Sequence, residues 1–205
     1  MINNPLFFLV VVYLISSVPF GLVCAKLFHG IDIRKYGDRN PGAANAWKYG
    51  SKLAGLLGFL LDVIKGALPV YIAKRFWPAS EHWLFLTALI AVCGHAFSLY
   101  LKFQGGKSLA VTTGVFLSLF ESVIPLLWIL IYISLPLFGI SFPEGVIITL
   151  LIAIFQTFVT CKSWYLRLNV ILISSIIIYK HKNTLIDLKA SNNSILSKFK
   201  RLTPK

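Results

Sequence analysis

Seven apolar runs separated by polar segments dominate the pattern of this chain. Helices that span a membrane need about 20 apolar residues. Most of the runs approach that length, whereas the fourth is short enough for a half-helix or a tilted, partly buried segment. The runs cover residues 5–28, 52–74, 83–101, 108–120, 123–140, 146–160 and 164–179. The pattern predicts an all-α, polytopic integral membrane protein with seven transmembrane helices in one domain, residues 1–180, and a basic cytoplasmic C-terminal tail, residues 181–205.

Composition supports the membrane class. The chain is 57% hydrophobic, its mean hydropathy is +0.78, and its 20 Lys and Arg residues outnumber 7 Asp and Glu, for a net charge of +13. In a membrane protein such an excess is typical of basic loops beside anionic lipid headgroups, so we expect no nucleic-acid partner. The same charge is compatible with an anionic substrate. Three widely spaced cysteines without a CxxC pair indicate neither a disulfide framework nor a zinc site.

The distribution of basic residues predicts the topology. If all seven runs cross the membrane and the N-terminus is outside, fourteen Lys and Arg residues lie inside. Four lie outside: Lys74, Arg75, Lys162 and Arg167. If the short fourth run does not cross, the basic residues divide equally. The positive-inside rule therefore favours seven crossings with the C-terminus in the cytoplasm.

Under this topology, three polar clusters share the cytoplasmic side. The first is the loop Asp32–Gly50, rich in Gly, Asn and cations. Glycine lets backbone N–H groups approach an anion, and Arg can bind phosphate through two hydrogen bonds. The charges alone would favour an ordinary basic loop on the cytoplasmic side. The density of Gly and Asn makes an anion-binding site an equally good interpretation.

The second cluster joins His95 to the turn Gly105–Ser108, which precedes the fourth run. A glycine-rich turn with Lys and Ser at a helix N-terminus can bind an anion. It is not a Walker A motif, so no nucleotide is implied. Lys107 could equally be an interfacial lysine, and His95 a hydrogen-bonded interfacial histidine. The third cluster, Tyr179–Asn183, could orient a ligand through His181 or could simply be a basic flank.

Within the second run, Asp62 and Lys65 stand three residues apart. This spacing places them on one helix face, where they can pair. Ionisable groups at membrane depth are costly and usually face the protein interior. We therefore predict a buried ion pair that supports either the helix packing or the site.

Together these segments resemble the bacterial acyl-phosphate:glycerol-3-phosphate acyltransferase family, known as the PlsY family, over nearly the whole chain. Asp32-Ile-Arg34 and Gly37–Asn45 look like its first motif, D[IL]RxxGSGNxGATN. Gly94-His95 and Phe103-x-Gly-Gly-Lys107 look like its second, GHx…FxGGKGVAT. Tyr179-x-His181 resembles the start of the third. Further matches are Ser17–Gly21 in the first helix and Leu61–Gly66 in the second.

The resemblance implies that an acyl group moves from acyl phosphate to glycerol 3-phosphate, giving lysophosphatidic acid for phospholipid synthesis, without a cofactor or metal. It implies a monomer in the plasma membrane or cell inner membrane that contacts lipids and has a cytoplasmic active site. The catalytic residues it implies are Lys107, His95 and Asn45. The substrate-binding residues it implies are Arg34, Asp38, Asn40, Lys48, Gly105, Gly106, Ser108, His181 and Asn183.

The first motif departs from the family pattern. Asp38 and Arg39 replace Ser-Gly, Lys48 replaces an Arg, and Ser108 replaces the Gly after Lys107. Lys for Arg is not conservative at a phosphate site that needs two parallel hydrogen bonds. These changes motivate two alternatives, namely a diverged member that acylates another polyol phosphate and a catalytically weakened binding or regulatory membrane protein. A transporter is less favoured because no inverted repeat is visible.

Overall fold

The computed structural model describes residues 4–77, 80–120 and 124–202, with side chains as far as residue 187 apart from residue 136. The described chain is helical apart from its turns and loops. Its helices are α1 (Pro5–Ser16), α2 (Phe20–His29), α3 (Ala43–Asn45), α4 (Lys52–Phe76), α5 (Glu81–Ala96), α6 (Leu109–Phe120), α7 (Ile124–Ser134), α8 (Phe142–Thr160) and α9 (Trp164–Leu202). A π-helical turn at Ala46–Gly50 and 3-10 turns at Ile33–Lys35, Leu99–Leu101 and Leu135–Phe138 connect them.

The first predicted run consists of two helices. α1 and α2 meet at a 42° bend, and Pro19 lies in the break between them. Proline cannot donate a backbone hydrogen bond, so a break at this position is expected. The break also leaves the Val18 carbonyl outside the regular helical pattern, where Lys65 binds it (below).

Three described helical segments are long and apolar enough to cross a membrane: α4, Glu81–Leu101 and α8. The bent pair of α1 and α2 raises this number to four. α6 and α7 are apolar but shorter. α9 extends well beyond the predicted seventh run, so residues 181–202 continue the helix. The side chains from residue 188 onward and the last three residues of the predicted tail lie outside the described part.

The short helix α6 packs along the second half of α4. The backbones approach so closely that a Cβ at Gly66 would lie 2.1 Å from the Val111 carbonyl oxygen, and one at Gly114 would lie 1.9 Å from the Val63 carbonyl oxygen. At the other end of the pair, Lys74 donates to the Leu119 carbonyl over 3.1 Å. α6 therefore begins halfway along α4 and reaches its far end, which explains how 12 residues suffice for this position in the bundle.

The predicted buried ion pair is confirmed. The Lys65 ammonium lies 2.6 Å from an Asp62 carboxylate oxygen, and both side chains are 2% exposed. Lys65 also donates to the Val18 carbonyl over 2.5 Å, and its ammonium lies over the Phe20 ring. The pair thus connects α4 to the break between α1 and α2. Apolar side chains from α1 and from α4 to α9 form the main core.

Candidate active site

The loop between α2 and α4 is ordered by its own polar side chains. Asp32 accepts the backbone N–H of Arg34 over 3.1 Å and receives its guanidinium through Nε over 2.8 Å. The hydrogen bond from Arg34 holds the pKa of Asp32 well below its ordinary value. Arg34 therefore lines the site as one member of an ion pair.

Asn45 lies beneath this loop and connects its parts. Its side-chain amide donates to Asp38 over 2.8 Å and to the Asn40 carbonyl over 3.0 Å. The backbone N–H of Asn40 donates to the same Asp38 oxygen over 3.2 Å. One carboxylate oxygen of Asp38 is thereby fixed by two donors. Asn45 is buried, so it organises the loop from below.

The Gly105-Gly106 turn is attached to the C-terminal end of α5. Gly105 donates its amide to the Ala96 carbonyl over 3.1 Å, and Gly106 donates to the His95 carbonyl over 3.0 Å. A Cβ at Gly105 would lie 2.0 Å from the His95 carbonyl oxygen, and one at Gly106 would lie 2.2 Å from His95 Nε2. The two glycines are required for this close approach. Because both amides are engaged by the backbone, they are not free to bind an anion in this conformation.

Lys107 connects the three polar clusters. Its ammonium lies 2.8 Å from the second carboxylate oxygen of Asp38 and donates to the Thr184 hydroxyl on α9 over 2.9 Å. Partial burial of Asp38 favours its protonated form, but the hydrogen bond and charge of Lys107 outweigh this and lower its pKa. Asp38 is therefore ionised at neutral pH. Lys107 thus joins the first cluster at Asp38 and reaches α9 at Thr184, the residue directly after the third cluster.

A cavity of about 870 Å³ opens around Lys107. Six of the predicted site residues line it: Arg34, Asp38, Asn40, Gly105, Lys107 and Asn183. Five cationic and two acidic side chains line its wall: Arg34, Lys35, Arg39, Lys107 and Lys180, with Asp32 and Asp38. The cavity is therefore cationic and has ample room for an anionic ligand such as a phosphate ester.

Lys180 belongs to this site although sequence reasoning placed no candidate there. It donates to the Ala96 carbonyl over 2.9 Å, and its ammonium lies 5.5 Å from the centre of the Phe97 ring. The same carbonyl receives the Gly105 amide, so Lys180 connects α9 directly to the glycine turn. Burial, and secondarily the charge of Lys182, lower the pKa of Lys180. The sequence signal for Lys180 is its position between Tyr179 and His181 in the third cluster.

The other predicted residues lie around or below the cavity. His95 is buried, with Nδ1 3.6 Å from the Asp62 carboxylate and Nε2 against the Gly106 backbone. Ser108 is buried with its hydroxyl unpaired among the described residues. Lys48 is exposed, and its ammonium lies 5.2 Å from the centre of the Tyr49 ring. The structure does not bring these three side chains to the cavity wall.

His181 lies behind Lys107 on α9. Its Nδ1 is 2.8 Å from the Ile177 carbonyl oxygen, and because a carbonyl only accepts, Nδ1 carries the hydrogen. Burial lowers the pKa of His181, and the nearby charge of Lys107 lowers it further. The imidazole is therefore neutral at neutral pH, with Nε2 as an acceptor. This places an uncharged ring rather than another cation behind Lys107.

Comparisons with known proteins point to one family of enzymes. The family model for glycerol-3-phosphate acyltransferase matches residues 6–191. The chain is 36% identical to a glycerol-3-phosphate acyltransferase of Fusobacterium nucleatum subsp. nucleatum, over 87% of this chain and 91% of the relative. It is 34% identical to one from Desulfovibrio desulfuricans, over 87% of this chain and 78% of the relative. Its fold is similar to that of PlsY, an integral membrane glycerol 3-phosphate acyltransferase, in a crystal structure of the glycerol 3-phosphate form. The TM-score is 0.84 at 32% identity, covering 91% of this chain and 92% of the other.

Proposed function

Because this chain belongs to the glycerol-3-phosphate acyltransferase family, we propose that it transfers a fatty acyl group from acyl phosphate to the first hydroxyl of glycerol 3-phosphate. The new bond is the ester of lysophosphatidic acid, and the bond that breaks joins the acyl carbon to phosphate oxygen. The hydroxyl proton leaves with the inorganic phosphate. The donor is already activated, so the reaction requires neither a coenzyme nor a metal.

The observation that carries this proposal is the position of Lys107 on the wall of a cationic cavity, in contact with Asp38 and Thr184. Two phosphate-bearing substrates must come together here despite their like charges. Fixed cations offset that repulsion and stabilise charge that develops on the leaving phosphate. The described residues that line the cavity include no Ser, Cys or His, and the Lys107 ammonium and the Asp38 carboxylate are engaged with each other. Direct transfer between bound substrates is therefore favoured over an acyl-enzyme intermediate, and positioning supplies much of the rate.

We propose further that the chain crosses the membrane seven times, with its N-terminus outside and the site facing the cytoplasm of a plasma or inner membrane. Two of the proposed crossings are short. α7 has 11 residues before the 3-10 turn at Leu135–Phe138, and α6 has 12 residues, which makes α6 about 18 Å long at the α-helical rise per residue. Its packing supports a crossing, because α6 starts beside the middle of α4 and ends beside Lys74. In this arrangement, the Gly105–Ser108 turn that precedes α6 lies below the cytoplasmic surface of the membrane. We also propose that residues 181–205 form a cytoplasmic extension and that the protein acts as a monomer.

The test of the reaction is direct. Purified protein in detergent or lipid is given acyl phosphate and labelled glycerol 3-phosphate, and labelled lysophosphatidic acid is measured. We expect acyl-phosphate-dependent product. Absence of product at every substrate concentration would contradict the proposed reaction and would favour a binding or regulatory role.

The ion pair between Asp38 and Lys107 favours one second candidate, a diverged enzyme that acylates another polyol phosphate. The carboxylate already engages the lysine expected to bind phosphate, and this changes the space and charge offered to the acceptor. The same assay separates the two, because a different polyol phosphate would then give the higher kcat/KM. Glycerol 3-phosphate as the best acceptor would exclude this alternative.

The topology has its own test. A reporter active only in the cytoplasm, fused after Lys205, should be active, and one fused at the N-terminus should be inactive. Reporters in the loop after α6 should give the external signal if that helix crosses. If reporters before and after α6 gave the same signal, seven crossings would be contradicted, but the proposed reaction would not be.

A further inference from the structure

Arg39 enters the cavity from a strained backbone. Its φ is +60°, in the left-handed region that L side chains rarely adopt and that glycine adopts freely. The carbonyl of Tyr36 accepts the Arg39 amide over 3.0 Å, so this conformation is fixed by the turn. A residue other than glycine at such a position carries a conformational cost, and a function of its side chain is one reason to retain it.

The guanidinium is available for a ligand. Arg39 lines the cavity and is exposed. Its side chain makes no hydrogen bond or ion pair with the part of the chain that the structure describes. Arg34, in contrast, is held by Asp32 over 2.8 Å, and Lys180 by the Ala96 carbonyl over 2.9 Å.

Lys107 is also engaged. Its ammonium donates to Thr184 and faces Asp38 at 2.8 Å. The carboxylate neutralises much of the charge with which this lysine would attract a phosphate. Asp38 itself is held by Asn45 over 2.8 Å, so it cannot swing away without breaking that contact. Of the five cations that line the cavity, only Lys35 and Arg39 therefore have no side-chain hydrogen bond or ion pair with the described part of the chain, and of these two only Arg39 carries a guanidinium. Lys107 keeps its place on the wall, with its charge partly offset by Asp38.

We propose that Arg39 is a substrate-binding residue that provides the principal phosphate contact of this cavity, while Asp38 keeps Lys107 in position. The inference rests on the proposed function for the identity of the ligand, a phosphate monoester or acyl phosphate. Guanidinium forms two parallel hydrogen bonds with phosphate oxygens, which an ammonium cannot do. Arg39 thereby compensates for the charge that Asp38 withdraws from Lys107.

The decisive variant is Arg39→Gly, because it should act in opposite directions on stability and on binding. Removing the side chain relieves the left-handed strain, so the unfolding temperature should stay equal or rise. Removing the guanidinium should raise KM for the substrate whose phosphate it holds by about tenfold or more, as loss of a charged hydrogen bond predicts. Arg39→Lys should recover part of this loss.

Lys102→Gly is the matched control. Lys102 is a neighbouring cation, also with positive φ, at +52°, but it does not line the cavity. Its replacement should give the same or better stability without a change in KM. KM is measured separately for glycerol 3-phosphate and for acyl phosphate, and a rise for either substrate supports the inference and identifies the bound phosphate.

A second measurement keeps binding separate from turnover. Glycerol 3-phosphate and inorganic phosphate should raise the unfolding temperature of the wild-type protein, and Arg39→Gly should lose most of this protection. If the wild-type protein makes no lysophosphatidic acid but Arg39→Gly abolishes phosphate protection, the proposed reaction fails and the role of Arg39 stands. If the wild-type protein is active and Arg39→Gly changes neither KM nor protection, the role of Arg39 is overturned and the reaction stands.

Discussion

Replacement of Lys107 by alanine should lower kcat/KM on the order of 10²–10³-fold, which is typical when one preorganised donor to developing negative charge is removed. Lys107 is 20% exposed and contacts Asp38 at 2.8 Å. Its removal has two consequences. The cavity loses a cation on its wall, and Asp38 keeps a negative charge that now faces the incoming phosphate without a cationic partner. The second effect should make the loss larger than deletion of a surface cation would cause.

Three further variants separate these consequences. Lys107→Ala combined with Asp38→Asn should recover part of the lost activity, because the unpaired carboxylate is gone. Thr184→Val removes only the hydroxyl that accepts from Lys107 over 2.9 Å, so its effect should be much smaller. Lys102 is an exposed cation that does not line the cavity, so Lys102→Ala should leave turnover unchanged. Initial rates at varied donor and acceptor concentrations measure all three, and near-normal turnover of Lys107→Ala would remove this lysine from the mechanism.

Apolar periodicity predicted where the helices lie along the chain. It did not predict where they bend or at which level of the helix bundle each one begins. The run 5–28 reads as one span, yet Pro19 lies between two helices that bend by 42°. Similarly, the fourth run is short, and its length alone would fit a half-helix or a tilted, partly buried segment. Its length follows from packing against the middle of α4, where Gly66 and Gly114 allow backbone contact. Such contacts join residues far apart in the chain, so hydropathy alone could not specify them.

The resemblance predicted that Lys107 and the first loop belong to one site, and the structure places the Lys107 ammonium 2.8 Å from Asp38. The roles of the neighbouring residues depend on three-dimensional contacts. The glycine turn reads as an anion cradle, whereas both amides donate to the end of α5. Arg39 and Ser108 replace glycines of the family pattern, and both have positive φ, +60° and +65°. A motif shows that glycine is replaced, and only the backbone shows that the replacement is strained.

Conversion of Asp62 to asparagine should destabilise the protein by about 3–5 kcal/mol, the range for breaking a buried pair from one side. Asp62 lies 2.6 Å from Lys65, and both side chains are 2% exposed. Without the carboxylate, the ammonium would lose its counter-charge and keep only uncharged partners, among them the Val18 carbonyl and the face of Phe20. Because Val18 lies at the break between α1 and α2, the loss should loosen the contact of both helices with α4.

The double variant Asp62→Asn with Lys65→Met tests this cause. It removes both charges with little change in volume. Its free energy of unfolding should therefore be higher than that of Asp62→Asn alone and should recover a large part of the loss. Unfolding in detergent, followed by reactivity of the buried thiol of Cys24 and by loss of helical signal, measures the difference. Equal destabilisation in the single and double variants would show that Asp62 acts through His95, 3.6 Å away, rather than through Lys65. In that case the carboxylate supports the glycine turn, because the His95 ring packs against Gly106, and the activity should fall with the stability.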